Sequence, residues 1–393
     1  MKPLLLSLLC SLSLAGFSQS YQAIHNNAIV IDTHNDVLSE VIMKGMNIDV
    51  DLTGKAHSDI ARFKKGGVDV QIFSVFCDER FGKDAAFKYA NIEIDSLYNI
   101  IKRNKSRMML VTNPAQLQQA VKGHNLGCMI GVEGGHMIED RLDYLDSLYK
   151  RGARYLTLTW NNSTSWATSA MEETKKKDSL AHKGLSELGK TIVKRMNQLG
   201  MLVDVSHVGE QTFCDAINTS TKPVIASHSG VYALCPVFRN LKNDQIKAIG
   251  KNGGVIHVNF FSGFIDTAYN NGRTKFWKRH QEEVDSLKNN RWPNYDIEQY
   301  LAKKYAAEVE AYRPTLSQLI DHIDYIVKLI GVDHVGLGSD FDGIESAPKT
   351  LDDVSSFPLI TKALLERGYS KKEVEKILGG NFIRVFKANQ KNL

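Results

Sequence analysis

His34 and Asp36 stand two residues apart at the end of the apolar run AIVIDTH, so on extended backbone their side chains leave the same face. Glu133 ends a second such run, GCMIGVE, and His207 a third, MLVDVSH. His228 lies in PVIASHS and Asp340 closes HVGLGSD. Imidazoles and carboxylates without thiolates suit a catalytic Zn²⁺, or another divalent ion, better than a closed structural site. No Cys-x-x-Cys pair occurs, which excludes a thiolate zinc site. Taken singly, each residue has a plainer reading. A strand-end histidine is more often a hydrogen-bonded core residue, Glu133 in VEGGH could be a turn carboxylate, and Asp340 or Asp342 in SDFDG could cap a turn. The set carries weight only if the fold brings its members together.

The elements around these residues supply that condition. Short apolar, β-branched runs at 28–34, 68–76, 127–133, 154–160, 201–207, 223–229, 254–260 and 334–340 read as strands. Helical patterns fall between them at Asp84–Lys102, Leu142–Arg151, Leu185–Leu199, Asp244–Lys251 and Leu316–Ile330. Continuous apolar strands alternating with helices predict a parallel sheet covered on both faces, and eight such units predict a closed (β/α)8 barrel of the TIM type. The absence of G-x-G-x-x-G after the first strand weakens a dinucleotide-binding alternative. A barrel gathers the C-terminal strand ends into one ring, which would join His34, Asp36, Glu133, His207, His228 and Asp340. His136 and His257 are candidates for supporting that ring, and the remaining seven histidines read as surface or structural. Residues 261–313 form a long polar insertion after the seventh strand, read either as a lid over the mouth or as a solvated helical excursion. Further helices follow the eighth strand within 343–393, and no second domain or internal repeat is evident.

Composition sets the outer bounds. With 393 residues, 43% hydrophobic and 24% charged, the chain is globular and neither disordered, collagen-like nor multi-pass membrane. A formal charge of +5 without a Lys/Arg stripe argues against nucleic acid as a partner. The opening MKPLLLSLLCSLSLAGFSQS has one charge, a short apolar run and then small residues. It reads as a signal peptide over 1–18 with cleavage near residue 18, which would leave 19–393 as one periplasmic or secreted domain. Cys10 lies inside the apolar run, unlike a lipid-attachment site, and the polar C-terminus VFKANQKNL gives no sign of a membrane anchor. Cys77, Cys128, Cys214 and Cys235 permit disulfides without requiring them.

The motifs IDTHND, GVEGGH, YLTLTWNNSTSWA, GLSELGKTIVKRMNQLGMLVDVSH, PVIASHS, FRN and GLGSDFDG together resemble the zinc-dependent membrane (renal) dipeptidases and their bacterial relatives. The resemblance runs from about Ala23 to Val385 on the barrel plan. It implies two zinc ions per chain, with His34 and Asp36 on one, His207 and His228 on the other, and Glu133 bridging both. It further implies that Asp340 handles the proton between water and leaving amine, and that Arg239 holds the free carboxylate of a dipeptide substrate. Dipeptides with a D-residue at the C-terminal position belong to the implied substrate range, and a homodimer is left open. One position departs from the pattern. Where the family commonly has a histidine near the substrate, this chain has Trp160, which cannot accept a proton or bind metal. Two other readings stay open on sequence alone: a di-metal esterase or lactonase on the same barrel, and a binding protein on a catalytically dead one. The first usually bridges its metals through a carboxylated lysine at the fourth strand end, where this chain has Trp160 and no lysine near.

Overall fold

Nine short parallel strands carry the architecture in the computed structural model, which describes residues 21–176 and 179–390. The segment read as a signal peptide lies outside the described residues. The strands are β1 (Ile31–Asn35), β2 (Val70–Val75), β3 (Met108–Leu110), β4 (Leu126–Glu133), β5 (Ala153–Thr157), β6 (Leu202–Asp204), β7 (Ile225–Ser229), β8 (Val255–Val258) and β9 (Val335–Leu337). Eight of them close into a ring in the order β1-β2-β4-β5-β6-β7-β8-β9, with β9 pairing back onto β1. This is the expected (β/α)8 barrel, and all eight expected strands are in it.

The ninth strand, β3, was not anticipated. It shares one edge of β4 with β5: Met108 pairs with Leu126 below, and Ala153 pairs with Ile130 above. Three residues are too few to show an alternating pattern, so only the structure reveals it. With β3 comes an extra helix, Pro114–Lys122, started by Asn113, whose side chain accepts from the Gln116 N–H. Most expected strands are also shorter than their apolar runs. The pairing stops at Asp204 and Leu337, so His207 and Asp340 lie on the turns beyond β6 and β9.

The barrel interior is packed rather than open. Ile31, Val70, Ile72, Met129, Leu202 and Ile225 point inward, and Phe382, Val385 and Phe386 of the C-terminal helix Asn381–Gln390 pack against them from the N-terminal end. That end is therefore stoppered, and the C-terminal ends of the strands form the free mouth. Tyr155 crosses the interior through space left by Gly131, where an added Cβ would sit 2.0 Å from the ring.

The insertion is not a mere solvated excursion, since it has a small core of its own. Helices Thr267–Arg279, Gln281–Asn289, Asn294–Lys304 and Ala306–Tyr312 enclose a small core of Phe276, Val284, Ile297, Leu301 and Val309. Gln299 donates to the Ile344 carbonyl at 3.1 Å, and Arg313 donates to the carbonyls of Ala347 and Pro348 at 2.9 and 3.0 Å. Lys44, on the loop after β1, reaches Asp296 at 3.0 Å. The insertion is thus bonded to the loops after β1 and β9 and stands beside the mouth.

Because the Tyr155 ring fills the space above Gly131, Gly131→Ala should force the ring aside or bend β4. Overpacking of this kind costs about 1–3 kcal/mol. Thermal unfolding should show a Tm lowered by several degrees, and an unchanged Tm would mean that the ring is not held there.

Candidate metal centre

Each strand end delivers one or two polar groups to the mouth, and their geometry decides what they can do. Glu133, the last residue of β4, is 4% exposed and turns its two carboxylate oxygens in different directions. Oε1 lies 2.9 Å from His207 Nε2 and 3.4 Å from His228 Nε2. Oε2 lies 3.5 Å from His34 Nε2 and accepts from the Ser74 hydroxyl at 3.3 Å. Asp36 adds its Oδ2 at 3.4 Å from His34 Nε2, and Asp340 its Oδ1 at 3.9 Å. The structure therefore brings together all six strand-end residues expected from the sequence.

The outer nitrogen of each histidine is already committed. The Tyr155 hydroxyl donates to the Thr33 carbonyl at 3.3 Å, so its oxygen accepts the Nδ1 proton of His34 at 2.8 Å. The Ser227 hydroxyl donates to Asp204 at 2.6 Å and so accepts from His228 Nδ1 at 2.8 Å. The Asn161 carbonyl oxygen accepts from His207 Nδ1 at 3.2 Å. In the neutral imidazole each such Nδ1–H bond leaves Nε2 as a lone pair that can meet a cation. His207 and His228 then face each other through those lone pairs at 2.9 Å, with a carboxylate oxygen beside them. Lone pairs and a carboxylate repel at that range, and a cation between them removes the repulsion. His34 Nε2 and Asp36 Oδ1, both buried, also lack any hydrogen-bond partner. The donor set fits divalent cations, and among the described residues two overlapping groups have ligand atoms close enough to share one: His34, Glu133 and His228, and His34, Asp36 and Asp340.

Without a cation the ring balances its charge with protons: burial works against a charge on His34, yet Tyr155, Glu133 and Asp36 hold its imidazole well above the ordinary range. Burial works against the charge on Glu133, yet the charge of His34 holds its carboxyl well below the ordinary range. Burial, helped by the charge of Arg239, pushes His207 down to about 3, so its imidazole stays neutral. Asp340 behaves oppositely: burial first and the neighbouring Asp36 carboxylate second push its carboxyl well above the ordinary range. Asn259 donates to Asp340 Oδ2 at 2.8 Å and sets its orientation. Arg239 lies 5% exposed beside the ring, with Nη2 donating to the His228 carbonyl at 3.3 Å and Nη1 without a partner. Burial lowers its pKa to about 10, which leaves the guanidinium charged at neutral pH.

Trp160 sits at the mouth, with its ring centroid 6.4 Å from that of His207. Other candidates fall outside the ring. His136 bonds the Cys77 carbonyl at 2.8 Å, and His257 bonds the Ala226 carbonyl at 2.9 Å and packs on Phe382. Asp342 accepts from the backbone N–H of His57 at 2.6 Å. Cys77, Cys128, Cys214 and Cys235 are free thiols. Sequence reasoning missed Tyr155, Asn161, Ser227 with Asp204, and Asn259. Their signal is positional only: each lies within a few residues of a strand end, but nothing in sequence says which histidine it meets.

Comparison with known proteins gives the same picture. The family model described as membrane dipeptidase (peptidase family M19) matches residues 18–392. A chain from Schizosaccharomyces pombe named as an uncharacterized dipeptidase is 30% identical over 95% of this chain and 83% of its own length. Among solved structures, a probable dipeptidase, PvdM, from Pseudomonas aeruginosa superposes with TM-score 0.81 at 24% identity, covering 96% of this chain and all (100%) of that one. A metallopeptidase from Rhodobacter sphaeroides, liganded with a phosphinate mimic of the dipeptide L-Ala-D-Ala, superposes with TM-score 0.73 at 22% identity, over 92% of this chain and 100% of that one. With the barrel, the buried histidine–carboxylate ring and a family match along almost the whole length, the chain belongs to the membrane dipeptidase family of metallopeptidases.

Proposed function

We propose that the protein is a zinc-dependent dipeptidase that holds two zinc ions, with Glu133 bridging them. His34 and Asp36 hold one ion, and His207 and His228 hold the other. What supports this reading above all is Glu133 itself, with Oε1 facing the Nε2 atoms of His207 and His228 and Oε2 facing that of His34. Two such cations would polarise a scissile carbonyl and bring the pKa of a water between them towards neutrality.

The remaining roles belong to the chain's own residues. Arg239 receives the substrate's C-terminal carboxylate, since its Nη1 is buried, charged and unpartnered beside the ring. Asp340 moves the proton from water to the leaving amine: its carboxyl stands at the ring, with Oδ1 3.9 Å from His34 Nε2, and its orientation is set by Asn259. Trp160 replaces a polar contact with an apolar wall and tunes substrate choice rather than the chemistry. The substrate range extends to dipeptides with a C-terminal D-residue, the arrangement mimicked by the ligand of the Rhodobacter metallopeptidase. The opening apolar segment supports export to the periplasm or medium.

The first test is Glu133→Ala. Elemental analysis should find about two zinc per wild-type chain and at most one in the variant, whose dipeptide hydrolysis should fall by about a hundredfold or more. A variant that keeps both ions and its activity would remove Glu133 from the bridge.

A second test addresses Arg239. Arg239→Met should lower kcat/KM for a free-acid dipeptide by about one to two decades, the worth of a charge-assisted pair, and leave the C-terminal amide little changed. Equal losses on acid and amide would reduce Arg239 to a structural part.

A further inference from the structure

We propose that Phe76 and Trp160 form the subsite for the side chain of the substrate's N-terminal residue, and that this subsite selects aromatic or large apolar residues there. The inference rests on the dipeptidase reading above and names the substrate class within it.

Four observations carry it. Val70 and Ile72 point into the barrel, and Ser74 on the same face of β2 reaches Glu133 at 3.3 Å. Phe76 is the first residue beyond β2, two positions after Ser74, at the mouth end of that strand. Its ring centroid lies 4.9 Å from that of Trp160, and the row continues from Trp160 to His207 at 6.4 Å and from His207 to His228 at 5.0 Å. Both Phe76 and Trp160 are half-buried at the mouth.

Ring order gives this aromatic pair its direction. Arg239 follows β7 and Phe76 follows β2, which stand on opposite sides of the eight-stranded ring. A dipeptide with its carboxylate on Arg239 and its scissile carbonyl over Glu133 extends its N-terminal residue towards β2. The Trp160 indole stands on the β5 side of that path. The two rings offer area and a π-face, with one indole N–H as the only hydrogen-bonding group. A charged side chain there would lose water without gaining a partner, whereas an aromatic one is stabilised by contact.

Phe-Gly and Gly-Phe present the same groups in reverse order and so test the assignment. Zinc-loaded wild type should favour Phe-Gly. Phe76→Ala should lower its kcat/KM for Phe-Gly by about three- to tenfold, chiefly through KM, and change Gly-Phe little. Phe76→Leu, which keeps bulk without the flat face, should fall between the two. The inhibition constant of a phosphinate analogue of Phe-Gly should weaken in the same order, with zinc content unchanged. Equal losses on Phe-Gly and Gly-Phe in either variant would overturn the subsite. A zinc-loaded wild type that cleaves no dipeptide at all would overturn the dipeptidase reading, and the inference with it, before any variant is compared.

Discussion

Mutual repulsion among buried ligand atoms governs this molecule. Three Nε2 lone pairs and the carboxylates of Asp36, Glu133 and Asp340 meet in one closed space, with His207 Nε2 and His228 Nε2 only 2.9 Å apart. With each Nδ1 spent on Tyr155, Asn161 or Ser227, protons on the ring, at His34 and Asp340 above all, are what relieve the repulsion without a cation. Metal cations held by these residues would supply the positive charge in their place. The rest of the structure reads as the apparatus that keeps these groups from moving apart.

That apparatus is spread over the whole barrel. Two buried aspartates brace the strand ends from below. Asp32 takes the Ser339 N–H at 2.7 Å and its hydroxyl at 2.6 Å, tying β1 to the turn that carries Asp340. Asp204 takes the N–H groups of Ser206 and Ser227 at 3.0 and 2.8 Å, tying the His207 turn to β7. Those turns are strained: His207 and Asp340 hold φ of +65° and +62°, a region that side chains other than glycine seldom occupy. Space is also rationed. An added Cβ on Gly343 would stand 2.2 Å from Asp36 Oδ2, so only glycine lets that loop lie against the site. The insertion then fastens the same loop from outside, through Gln299 and Arg313.

The legible part of this design follows from chemistry that is local in sequence. Continuous apolar runs identified the eight barrel strands, and their polar ends identified His34, Asp36, Glu133, His207, His228 and Asp340. The strand β3 was not legible because three residues carry no period. The partners Tyr155, Asn161 and Asn259 were not legible either, since a hydrogen bond between residues 121 positions apart, such as that of Tyr155 and His34, leaves no mark on either segment. The insertion was the hardest case. Its helices follow from composition, but whether it moves or stands fixed depends on side-chain contacts to loops around positions 44 and 344–348.

The central claim is that Glu133 sits between two cations rather than beside one. Anomalous diffraction at the zinc edge from crystals of the zinc-loaded protein tests it most directly. The account predicts two peaks roughly 3.5–4 Å apart, as in two-metal hydrolytic sites. One should touch Glu133 Oε1 with His207 and His228, and the other Glu133 Oε2 with His34 and Asp36. A single peak, or a pair that leaves one Glu133 oxygen without a metal, would contradict it.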